Sequence, residues 1–61
     1  MTLPLDIAGR QLRSARERLE RAMETARESA LAADDAGASE SEIARALGVD
    51  RMTVRKWKGK R

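Results

Sequence analysis

Nineteen residues, SESEIARALGVDRMTVRKW from Ser39 to Trp57, constrain this chain more than any other stretch. They read as two short helices around a tight turn. Ser39 is a good helix N-cap, and Glu42 three residues on completes a capping box, so the first helix has a defined start. Ile43, Ala44 and Leu47 then share one helical face. Gly48 stands where a helix commonly ends in a left-handed residue. Val49 is apolar immediately after it. Asp50 can cap a second helix, in which Val54 and Trp57 lie three apart and point inward together.

These residues resemble the helix-turn-helix of bacterial DNA-binding regulators. That family has a small residue in the middle of the first helix, where the second helix crosses, and Ala44 stands there. It has glycine or another residue tolerant of a left-handed conformation at the turn, and Gly48 stands there. Its buried aliphatic position after the turn and two buried positions in the second helix match Val49, Val54 and Trp57. EIARALGV followed by TVRKW is also similar to the DNA-binding ends of resolvases, transposases and sigma factors. The resemblance covers about a third of the chain. An ordinary helical hairpin is the alternative, but it does not call for a basic second helix at this spacing.

Sixty-one residues allow one domain at most. Trp57 is the only aromatic residue, and a chain of this size buries only a modest share of its surface. Small scaffolds gain stability from disulfides, metals or a partner subunit. There is no Cys and no His, which removes disulfides, the usual zinc ligands and the usual general base. No metal, cofactor or small-molecule ligand is expected, and oligomerisation remains as the source of extra stability. The Ser and acidic residues form no triad or paired-carboxylate arrangement, so an enzyme is not expected.

Charge is unevenly spread. Residues 1–42 carry six Arg against nine Asp and Glu, a net −3, whereas residues 43–61 carry seven Arg and Lys against Asp50, a net +6. A basic end beside a near-neutral or acidic remainder is the footprint expected for phosphate binding. No apolar run approaches membrane-spanning length, and no signal peptide is read at the N-terminus. The expected location is cytoplasmic and nucleoid-associated. The richness in Ala and Arg suggests a GC-rich bacterial source.

Upstream of the motif, the chain from Leu5 to Ala36 holds no Pro and only Gly9 among glycines, with a composition of strong helix formers. We read one long helix here. Thr2 can cap it with Pro4 in the first turn; an extended arm over Leu3–Leu5 is the alternative start. Leu5, Leu12, Leu19, Ala26 and Ala33 recur every seven residues, and Ala8, Ala15, Ala22 and Ser29 recur between them. This is a narrow heptad seam with large residues on one row and small ones on the other. Met23, Ala30 and Leu31 widen the stripe where the motif must be covered. The seam resembles alanine-rich antiparallel coiled coils. Dimerisation is therefore placed on Leu5, Ala8, Leu12, Ala15, Leu19 and Ala22, since a long helix with an unburied stripe is not stable on propensity alone. The alternative is a helix that serves only as scaffold for its own motif. Gly37 fits the end of the long helix. Asp34 and Asp35 sit unfavourably at the negative end of its dipole.

The expected architecture is all-α: a long helix in residues 1–36, then a helix-turn-helix with a basic tail in residues 37–61. In helix-turn-helix proteins the outward face of the second helix lies in the major groove. On a recognition helix over residues 50–58, that face presents Met52, Arg55 and Lys56, flanked by Arg51 and Thr53. Arg55 is the first candidate for reading guanine O6 and N7, and Met52 for a thymine methyl. Arg51, Thr53 and Lys56 suit base or phosphate; Lys58, Lys60 and Arg61 suit phosphate. Ser39 and Ser41 can present hydroxyl and backbone N–H groups to a phosphate. The expected function is sequence-specific binding of double-stranded DNA by a small homodimeric transcription regulator, a repressor, of bacterial or phage origin. The alternatives are an accessory DNA protein of a mobile element (excision, partition or architectural) and a protein-interaction module docked through the long helix.

Overall fold

Three helix-forming segments give three helices, the first two closed by a turn at a left-handed glycine. A computed structural model describes residues 4–59. Helix α1 spans Pro4–Asp35, α2 spans Glu40–Leu47 and α3 spans Arg51–Gly59. The long helix starts with Pro4 in its first turn, where a missing N–H costs nothing. This overturns the extended arm at Pro4 and Leu5; Thr2 and Leu3 lie outside the described residues. Gly9 is taken into the helix without a break.

Two similar stops define the motif. At the end of α1 the Ala38 N–H donates to the Ala33 carbonyl at 3.0 Å and the Gly37 N–H to the Asp34 carbonyl at 3.0 Å, with Gly37 at φ +99°. At the end of α2 the Val49 N–H donates to the Ala44 carbonyl at 3.0 Å, with Gly48 at φ +71°. Both are Schellman-type ends, in which a left-handed residue turns the chain and satisfies carbonyls left over by the helix. The residue after each glycine, Ala38 and Val49, packs against the core. Between the two stops, the Ser39 hydroxyl accepts from the Glu42 N–H at 3.1 Å and starts α2.

The core is small. Ala30 of α1, Ile43 and Ala44 of α2 and Val54 of α3 are buried, with Ala33, Ala38, Leu47, Val49 and Trp57 packed around them. Ala44 is 5% exposed within this core, and a larger side chain there would overpack it. Only the C-terminal part of α1 contributes to this core. The rest projects as a free rod, so the molecule measures 55 × 19 × 15 Å with a radius of gyration of 16.0 Å. A compact chain of this length would have about 10.5 Å. Along the rod, Leu5 is 82% exposed, Leu12 52% and Leu19 61%. Among the described residues no helix is long and apolar enough to cross a membrane.

Gly48 carries the turn by its conformation, not by lack of space, because nothing lies within 4 Å of an added Cβ. Gly48→Ala should therefore lower stability by about 1–2 kcal/mol, the cost of a left-handed L-residue. Gly59→Ala, at a position without positive φ and also open, should cause no loss. Denaturant unfolding at one fixed protein concentration distinguishes the two; equal behaviour would mean that the turn does not depend on the left-handed conformation.

Candidate nucleic-acid interface

Helix α3 begins because Asp50 supplies its cap. The Asp50 Oδ1 accepts from the Thr53 N–H at 2.8 Å and from the Thr53 hydroxyl at 2.9 Å. The helix proper runs Arg51–Gly59, so the expected 50–58 span moves by one residue at each end. Asp50 lies just outside as the cap, and Gly59, the last described residue, is still helical.

The inward face of α3 is set by Val54, which is fully buried, and Trp57, which is half-buried against the core. Arg51, Met52, Arg55 and Lys56 are exposed. Met52, 56% exposed, is an apolar group standing within a basic surface. Thr53 is half-buried, with its hydroxyl engaged in the cap, so it is the least available of the residues expected on this face. Ser39 and Ser41 are exposed at the start of α2. Ser39 holds the Glu42 N–H there. Lys60 and Arg61 lie outside the described residues.

Two of the basic side chains on α3 are held by acids from the other helices. The Arg55 Nε and Nη2 donate to the two carboxylate oxygens of Glu40 at 3.4 and 3.3 Å. The Lys58 ammonium lies 3.3 Å from Asp34 Oδ1 and 3.8 Å from Glu40 Oε2. The end of α1, the start of α2 and the middle of α3 are thus joined by one charge network. It accounts for Asp34, which is misplaced with respect to its own helix dipole but well placed for Lys58. Sequence spacing singles out Arg55 and Lys58 but not Glu40. Glu40 is fifteen residues from Arg55, and only the fold brings the two together.

The network is visible in the acidity of Glu40. The hydrogen bond from Arg55 is the largest influence holding the Glu40 carboxyl below its ordinary 4.5; the charges of Arg55, Lys58 and Arg51 add to it and desolvation opposes it. The backbone N–H of Thr53, and then its hydroxyl, hold Asp50 below its ordinary 3.8.

What emerges is a short helix seated by Val54 and Trp57, capped by Asp50, with an outward surface of Arg51, Met52, Arg55 and Lys56 beside the exposed start of α2. Residues 13–59 match the homeodomain-like domain. The chain belongs to this family. It is a helix-turn-helix DNA-binding domain of the bacterial type. The homeodomain-like match begins part-way along α1, so the first turns of that helix lie outside it. Comparison with the curated proteins and with the solved structures gave no significant match.

Because Glu40 and Asp50 are both more acidic in the folded state, the stability they contribute is present above their ordinary values of 4.5 and 3.8. It is lost as pH falls through the lowered folded values. Unfolding measured from pH 6 down to about pH 3 should therefore show a shallower loss for the double variant Glu40→Gln, Asp50→Asn than for the natural chain. Parallel curves would mean that neither carboxylate is held by the folded structure.

Proposed function

We propose that this homeodomain-like chain reads duplex DNA in a sequence-specific manner, as a small homodimeric transcription regulator. The observation that carries the reading is the exposed outward surface of α3, where Arg51, Met52, Arg55 and Lys56 stand together on a helix seated by Val54. A helix of this kind fits the major groove and contacts base edges from its N-terminal half. Phosphates are met by Lys56, by Arg51 and by the start of α2, where Ser39 and Ser41 are exposed.

The charge network bears on specificity. Of the four basic side chains between residues 51 and 59, Arg55 and Lys58 are engaged by carboxylates. Glu40 and Asp34 compete with phosphate for these two, which weakens attraction to arbitrary DNA. Guanine O6 and N7 can take the place of that carboxylate as an acceptor pair for the guanidinium, and so can two phosphate oxygens. Base reading then rests on the position of Arg55 on the exposed outward surface of α3. Glu40 here is a positioning residue, acting on DNA through Arg55.

The exposed leucines of α1 support the dimer. Leu5, Leu12 and Leu19 are each more than half exposed on one rod, and a single copy offers them nothing to pack against. A two-fold dimer reads inverted half-sites, spaced by about one turn of the double helix.

Arg55→Ala tests the reading. Binding to the preferred duplex should weaken by about 1–3 kcal/mol, with discrimination lost at one base pair. Binding to a random duplex of the same length should change far less. Fluorescence anisotropy at two salt concentrations separates the two effects, and an equal loss on both duplexes would remove Arg55 from base reading.

A further inference from the structure

The face left open on α1 continues into a groove. Ser29, Ala30 and Ala33 of α1 and Ile43, Ala46 and Leu47 of α2 line an apolar, open cavity of about 210 Å³. Ser29 belongs to the same row as Ala8, Ala15 and Ala22, and Ala33 to the row of Leu5, Leu12 and Leu19. The exposed stripe on the rod and the groove at its base are one continuous surface, and one occupant has to cover both.

The residues on that surface choose the occupant. The leucines of one row lie in the N-terminal part of α1, and the small residues of the other row run along its length. In an antiparallel helix pair, each residue of one row faces a residue of the other row on the second helix. Setting Leu5 against Ser29 places Leu12 against Ala22, Leu19 against Ala15 and Ala26 against Ala8. Every leucine then meets a small side chain, and no two leucines collide. A parallel pair would set each leucine beside its own copy and leave the small residues facing one another.

Charge agrees with this direction. Within the overlap, residues 4–16 carry three Arg against Asp6, a net +2, and residues 18–30 carry Arg18, Arg21 and Arg27 against Glu20, Glu24 and Glu28, a net of zero. Antiparallel pairing sets each basic half beside a neutral half, whereas parallel pairing sets the two basic halves side by side.

We infer that the occupant is a second copy of this chain, running antiparallel, with its Leu5 seated at Ser29 in the groove between α1 and α2. This rests on the dimeric reading above and fixes its direction and register. Two equivalent seats form, one at each end of the rod. The register leaves Ala30 of one copy about 39 Å from Ala30 of the other along the rod, near the spacing of one turn of duplex DNA. The groove thereby couples the rod to the motif, because Ile43 and Leu47 belong to α2 of the DNA-binding domain.

The chain has no Cys, so introduced thiols report pairing without interference. Leu5→Cys and Ser29→Cys are both exposed positions and should leave the fold intact, as circular dichroism would verify. Mixed in equal amounts and mildly oxidised, the two variants should shift to a covalent dimer on non-reducing electrophoresis. Either alone should stay at monomer mass, because like residues would lie about 36 Å apart along the rod, far beyond disulfide reach. Cross-linking of Leu5→Cys alone would overturn the antiparallel direction. A natural chain that sediments as a dimer while the mixture fails to cross-link would overturn the register. A natural chain that sediments as a monomer, yet still retards a random duplex, would remove the dimer and leave the DNA-binding domain standing.

Discussion

The crossing of α2 over α3 is the constraint from which the rest of the structure follows. Two helices of eight and nine residues are too short to persist alone, and they are held by a core in which Val54 is the only fully buried side chain among the described residues. That core closes because Ala44 leaves room for α3 to approach and because Gly48 turns the chain in a left-handed conformation without strain. Asp50 then starts α3 at the right place, with Thr53 fixing its first turn. The direction in which Arg51, Met52, Arg55 and Lys56 point is a consequence of these few contacts.

Electrostatics refine this geometry. A bare basic helix would bind phosphate anywhere, with an affinity that falls steeply with salt. Here Glu40 and Asp34 stand against the same helix and engage Arg55 and Lys58. As partly exposed ion pairs at the surface they contribute little to stability. Their effect is on what the basic side chains are free to meet. Asp34, an acid that lies poorly on its own helix, is placed to meet a lysine on another.

The helix-turn-helix was legible in the sequence because its determinants are local. Ser39 and Glu42, Gly48 and Val49, and Asp50 and Thr53 each act within a few residues, and helical periodicity assigns Val54 and Trp57 inward from spacing alone. The long helix was legible for the same reason, from composition and the absence of Pro between Leu5 and Ala36. The pairing of Arg55 with Glu40 and the seat of Lys58 were not legible, because they depend on how three helices sit in space. The groove beside Ile43 and Leu47 was hidden for the same reason: its walls come from two helices, and neither wall is unusual in itself. At the helix ends the differences are single residues. Asp50 is a cap and not the first helical residue, and Gly59 still belongs to α3.

In the proposed dimer, the rod of α1 and the motif at its end would hold two copies of the outward face of α3 at a fixed separation. The most direct test is a selection of genomic duplex fragments by the purified chain at moderate salt, followed by sequencing of what is retained. Enrichment of a short inverted repeat, with half-sites about one helical turn apart, is the predicted result. Retention without a shared motif, disappearing steeply as salt is raised, would contradict it and would mean that the basic end of this chain binds phosphate without reading bases.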